Sequence, residues 1–197
     1  MRIAPEEYLR LRLRAHSLLA DVPLHDVWAV DLPGKTPART IVDLRAILIR
    51  ENLERTSAAV RFLFGLRWRL GRVFGWDREP SGAPDESFLH RLSAADLDSS
   101  LVAPGTREGP FRIVYVSQQE SISEIRNGTV HAFSVFALAQ RPSDYRLYWA
   151  IYVRPVGRVT AWYMRLIDPF RRAIIYPAVL RHIRSAWSKG EPPAGQA

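Results

Sequence analysis

Residues 120–154 read ESISEIRNGTVHAFSVFALAQRPSDYRLYWAIYVR, and this stretch decides the fold. Tyr145, Leu147, Trp149, Ile151 and Val153 lie on one side of an extended chain, with Arg146, Tyr148, Ala150, Tyr152 and Arg154 on the other, which is the period of a strand. Upstream, Asn127-Gly128 separates a run from Glu120 to Arg126 from one between Thr129 and Ala139. That dipeptide accepts the positive φ required at both central positions of a type I′ turn, so it predicts a hairpin. A β-branched and aromatic run from Arg112 to Ser117 precedes it, and Arg141-Pro142-Ser143-Asp144 turns the chain into the last strand.

Pro155 and Gly157 stop the strands, and Val159, Trp162, Tyr163, Leu166, Ile167, Phe170, Ile174, Pro177 and Leu180 follow at helical spacing. Asp168-Pro169 and Pro177 predict a bent helix or two helices in succession, because proline donates no backbone hydrogen bond. A meander of antiparallel strands closed by one long helix predicts an α+β fold in which the sheet grips the C-terminal helix.

Before this region, Pro5-Glu6-Glu7 opens a helix over residues 5–19, although residues 9–14 alternate with period two. Val27 to Leu32 reads as a short strand ended by Pro33-Gly34. Thr40 or Asp43 caps a helix to about residue 54 with Ile41, Leu44, Ile47 and Leu48 on one face. A second helix runs from Thr56 or Ser57 to Phe74, with Arg61, Arg69 and Arg72 on its outer side and Gly75 as its stop. Residues 77–110 are rich in Pro, Gly, Ser and Asp and read as a long loop, a candidate flap over a cavity mouth, with one capped helical turn at Ser93-Ala94-Ala95-Asp96. One domain over 1–188 and a disordered tail over 189–197 complete the expectation.

Hydrophobic residues make up 47% of the chain, as in a globular protein with a substantial core. The lack of cysteine excludes disulfides, thiolate metal sites and a cysteine nucleophile. No signal-peptide h-region and no apolar run of membrane length is present, so the expectation is a cytoplasmic protein without an integral membrane segment. The net charge is +8, but the arginines are scattered from Arg2 to Arg184 rather than gathered in a stripe with stacking aromatics, which speaks against nucleic acid.

Phe74-Gly75 after an Arg-rich helix, the stretch from Glu124 to Val135 with His131-Ala132-Phe133-Ser134-Val135, the Gly157-Arg158 helix start and Asp168-Pro169-Phe170-Arg171-Arg172, in that order, resemble a widespread bacterial family, domain-of-unknown-function family 2867. The resemblance spans roughly residues 20–187 and implies membership of the START-like, Bet v 1-like (SRPBCC) helix-grip superfamily. It implies a curved sheet around a long C-terminal helix with an internal cavity. Many members have Pro-Phe-His where this chain has Pro169-Phe170-Arg171, so any role of that histidine is lost or altered here. No catalytic residues carry over.

The five histidines have no metal-ligand spacing, and there is no nucleophile elbow or P-loop, so no metal, cofactor or catalytic group is expected. His131 shares a strand face with Phe133 and Val135. It reads as a ligand-orienting group or general base if that face lines the cavity, and otherwise as a histidine satisfied by a neighbour. Glu120, Glu124 and Arg126 read as an exposed sheet face. The leading expectation is a binding module for a small hydrophobic ligand held between sheet and helix by Tyr115, His131, Phe133, Trp149, Ile151, Trp162, Leu166 and Phe170. These aromatics read equally as cavity lining or as filled core. A cyclase, isomerase or hydrolase using His131 is one alternative. A peripheral membrane or partner-binding module with an Arg-rich surface is the other.

Overall fold

The structure, a computed structural model, describes residues 1–34, 39–51, 87–127, 130–156 and 158–189, with the backbone alone for residues 50, 51, 158, 159, 161 and 163. The expected helix from Ser57 to Phe74 and the tail after Lys189 lie outside the described residues. The elements run α1 Pro5–Leu9, α2 Arg14–Leu18, β1 Leu24–Leu32, α3 Ile41–Glu51, a 3-10 turn Phe88–Arg91, α4 Ala94–Ser99, β2 Arg107–Glu108, β3 Phe111–Val116, β4 Glu120–Arg126, β5 His131–Gln140, β6 Tyr145–Arg154, α5 Arg158–Phe170, a π-helical turn Arg171–Ile175 and α6 Tyr176–Lys189. The strands form one antiparallel six-stranded sheet in the order β1-β6-β5-β4-β3-β2. The fold is α+β, with a C-terminal helical run packed on the sheet.

Both faces of the sheet are buried, and the second carries Tyr148, Ala150 and Tyr152 of β6. On the first face, Tyr145, Leu147, Ile151 and Val153 meet Tyr176, Val179, Leu180, Ile183 and Trp187 of α6, with Ile41, Leu44 and Ile47 of α3 in the same cluster. On the second face, Val27, Ala29, Ile122, Phe133, Val135 and Tyr148 meet Tyr8, Ala15, Leu18 and Leu19 of the N-terminal helices, together with Phe88 and Leu92. Burial of a side chain of this size contributes about 1.5–3 kcal/mol, so each face supplies a core of its own.

Four local expectations change. The segment 5–19 is two short helices, because the chain leaves the first after Arg10 and is extended at Leu13; Leu11 and Leu13 still pack on the second cluster. The β4–β5 hairpin forms, but β5 starts at His131 rather than at Thr129, and Asn127 N donates to the Val130 carbonyl at 3.0 Å. Arg126 pairs with His131, the Asn127 carboxamide oxygen accepts from Val130 N at 3.2 Å, and the Val130 side chain is buried.

Residues 87–110, the described part of the expected flap, are embedded in the fold. Phe88 is fully buried, with its ring 4.4 Å from that of Phe133. Ser93 and Asp96 form the expected capping box, and Arg14 grips Asp96 with two bonds of 2.9 and 2.7 Å.

Glu120 and Glu124 are buried, contrary to the exposed face expected from their alternation with serines. The reason is that each carboxylate receives backbone donors from an element lying over β4. Glu120 accepts from Arg14 N and Ala15 N at 2.7 and 3.0 Å, at the start of α2. Glu124 accepts from Phe88 N at 3.2 Å, from Ser87 Oγ and from His131 Nε2 at 3.1 Å. A helix start has unsatisfied N–H groups, so a carboxylate from another strand serves as its cap.

Candidate functional site

The eight expected binding residues do not converge on one space. Tyr115, His131 and Phe133 belong to the second face, beneath the N-terminal segments. His131 is only 2% exposed, sits between Phe88 and Phe133, and pairs with Glu124. Trp149 and Ile151 lie on the opposite face; Trp149 stacks on Phe136, meets Tyr176 edge-on and donates to Ser134 Oγ at 2.9 Å. Trp162, Leu166 and Phe170 point to solvent, 80%, 55% and 46% exposed. Helical spacing gave their common face but not its direction. Among the described side chains of that helix Thr160 and Met164 are buried, and Ile167 packs against the same core as Met164.

A different cluster forms where β1 meets the C-terminal helical run. Leu24 pairs with Tyr152 and Asp26 with Ile151, so His25 is the extra residue of a β-bulge. A bulge re-aims the side chain it carries. Regular alternation would place His25 with Val27 and Ala29 on the second face; instead its Nε2 lies 2.8 Å from Asp168 Oδ2 on α5. On the helical side, α5 continues through Pro169 and then widens into the π turn, where Tyr176 N–H donates to the Arg171 carbonyl. Pro169 and Pro177 both lack an N–H, so the α ladder cannot close across this stretch and the longer i→i−5 bond takes its place. The expected break between two helices is thus a π turn that presents Arg171 and Arg172 towards the sheet.

Asp26 is the centre of the cluster. Its side chain is fully buried, with Arg172 Nε donating to Oδ2 at 3.1 Å and Arg2 Nε 2.9 Å from Oδ1. The second contact is an ion pair whose geometry is too bent for a hydrogen bond, so Oδ1 has a neighbouring charge and no directed donor. Asp168 lies 3.5 Å from Arg171 Nη1 and 3.5 Å from Arg172 Nη2. Arg2 is placed by the chain start, which pairs along the outer edge of β1 through Ile3 N to the Val27 carbonyl. Arg171 also donates to the Tyr176 hydroxyl, whose pKa burial pushes up while the guanidinium pulls it down by less.

Beside the cluster opens a pocket of about 300 Å³ lined by Arg2, Ile3, Pro5, Leu24, His25, Asp26 and Val27. One wall is apolar and the other carries charge. His25, Asp26 and Asp168 each bring a ligand atom within 4.8 Å of the others, the spacing of a three-ligand metal site. However, Arg2, Arg171 and Arg172 already compensate the two carboxylates and leave the cluster net positive, which opposes a divalent cation. His25 Nε2 takes up the contact with Asp168, and the ring's Nδ1 lies outside it.

The sequence carried two signals of this cluster. One was the His25-Asp26 pair at the head of an apolar strand; the other was the spacing of Asp168 and Arg172, four apart on a helix. Only the bulge and the π turn bring them together.

A family model described as "Protein of unknown function (DUF2867)" matches residues 18–178. The chain belongs to this family. The match spans all the strands and the site's β1, α5 and π-turn residues, while Arg2 lies before it. No curated protein matches the chain. Among solved structures it is similar to a conserved protein from Geobacillus kaustophilus, at 10% identity and a TM-score of 0.37, over 83% of this chain and 94% of the other.

Proposed function

We propose that this DUF2867 protein binds a small amphipathic acid, an organic carboxylate or phosphate with an apolar body, in the pocket at the head of β1. The observation that carries the reading is the guanidinium excess. Three arginines outnumber two carboxylates beside a pocket whose other wall is Ile3, Pro5, Leu24 and Val27. An acid group pairs with Arg2, which uses only Nε on Asp26 among the described residues and is exposed enough to turn towards a ligand. The apolar body then rests on the aliphatic wall.

This reading keeps the expected small-ligand binding module and moves its site to the rim of the sheet–helix junction. Trp28, Leu147, Ile151, Tyr176, Ile183 and Trp187 pack together in the space beneath the helix. A sheet followed by a long helix packed on it supports a START-like, single-domain assignment over 1–188, because both clusters share one sheet. Thermal melts test the proposal. Phenyl phosphate and 3-phenylpropionate should raise Tm, and 3-phenylpropanol should not. Equal shifts with acid and alcohol, or none with either acid, would refute it.

The His25–Asp168 pair supports a second reading, in which His25 Nδ1 acts as a general base on the bound acid. His25→Gln would then abolish turnover and spare binding; a variant that turns over substrate at the normal rate rules this reading out.

A further inference from the structure

We propose that the outer side of the helical run 158–189 is a docking surface for an anionic lipid bilayer. This inference is independent of the pocket. In α5, Trp162, Leu166 and Phe170 recur every four residues and are exposed, while Thr160 and Met164 on the other side are buried. Beyond the π turn the same spacing rule gives a second stripe. Arg181, Arg184, Ser185 and Ser188 are exposed, while Val179, Leu180, Ile183, Ala186 and Trp187 are buried. Phe170 and Tyr176 both keep right-handed helical dihedrals at the two junctions, so the run is unbroken. Both stripes are opposite to the side that meets the sheet, hence on one outer side.

The first half of that side is apolar, with Trp, Leu and Phe, the residues that enter the boundary between headgroups and acyl chains. Arg165 is exposed at its edge. The second half is a shallow groove lined, among the described residues, by Arg181, Arg184, Ser185, Ser188 and Lys189, none of them a carboxylate. Apolar insertion and attraction to anionic headgroups are the two signals that stable peripheral binding needs. Charge also selects against a second copy of the chain. Two molecules of net charge +8 that joined through this side would bring the same Arg stripes together. A bilayer containing phosphatidylglycerol offers the complementary charge and a flat apolar layer to a stripe on a convex helix.

The test is co-sedimentation of the full chain with vesicles of phosphatidylcholine alone and of phosphatidylcholine with phosphatidylglycerol. Three proteins are compared: wild type, Trp162→Ser/Leu166→Ser/Phe170→Ser, and Arg181→Gln/Arg184→Gln. All five positions are exposed, so native circular dichroism checks that each variant folds. Wild type should sediment with the anionic vesicles and not the neutral ones. The apolar triple should weaken binding about tenfold or more, and the arginine pair roughly fivefold per residue at low salt, an effect that high salt removes. Failure of wild type to bind anionic vesicles would overturn the proposal. So would variants that bind like wild type, a wild-type dimer that the apolar triple makes monomeric, or an acidic protein partner bound in preference to the vesicles.

Discussion

Replacing Glu120 with alanine tests how the N-terminal helices are held on the sheet. Both carboxylate oxygens accept a backbone N–H of α2, from Arg14 at 2.7 Å and from Ala15 at 3.0 Å. A hydrogen bond to a charged acceptor contributes about 1.5–3 kcal/mol, so the two together are worth roughly 3–6 kcal/mol. Against this stands the cost of burying the carboxylate. Burial raises the Glu120 pKa, and the bonds from Ala15 and Arg14 and the charge of Arg14 only partly counter it. The expected net loss for Glu120→Ala is about 2–4 kcal/mol. That is a large share of a stability of roughly 5–15 kcal/mol. For a chain of this length it lowers Tm by about 5–15 °C. Urea unfolding followed by far-UV circular dichroism measures it, with exposed Glu6→Ala as the control, expected within about 0.5 kcal/mol. Glu120→Gln keeps one acceptor and sets an amide N–H against a backbone N–H, so it should fall between. A loss below about 1 kcal/mol for Glu120→Ala, with a native spectrum, would refute the capping argument.

Phe88→Ala should cost about 3–5 kcal/mol by urea unfolding, because its buried ring packs against both Phe133 and His131; a surface flap would lose little. Burial pushes the Glu124 carboxyl up, but the bonds from His131, Ser87 and Phe88 outweigh it and hold its pKa below the ordinary value. A depressed folded pKa gives stability that is full above the ordinary carboxylate value and lost as pH falls below it towards the folded value. Glu124→Gln should therefore flatten the acid limb of a Tm–pH profile, and an unchanged limb would contradict this. Asp26→Ala removes a buried carboxylate between Arg2 and Arg172, both of which can turn to water; the expected loss is about 1–3 kcal/mol, read from the urea midpoint.

β1 and β3 to β6 were legible because each carries its own pattern, whereas β2, Arg107–Glu108, lies in the stretch that reads as a loop. Tyr145–Arg154 alternates over its whole length, and Glu120–Arg126 begins and ends where its residue types say. α3 was legible from its apolar face and from Thr40 and Asp43, whose side chains do cap it. What pattern cannot give is which body covers which face. Glu120 and Glu124 look like a solvated face until the donors of Arg14, Ala15, Ser87 and Phe88 are brought to them from more than 35 positions away in the chain. Trp162, Leu166 and Phe170 share a face by spacing, yet Met164 and Ile167 decide which side turns inward. His25 was illegible as a site residue because a bulge is a tertiary event: one extra residue changes the face on which a side chain emerges.

Calorimetric titration of 3-phenylpropionate and of 3-phenylpropanol into wild type and Arg2→Gln tests the central claim most directly. The account expects wild type to prefer the acid and Arg2→Gln to bind both alike and weakly, since the arginine that meets the acid group is gone. An acid preference that survives Arg2→Gln unchanged would contradict it.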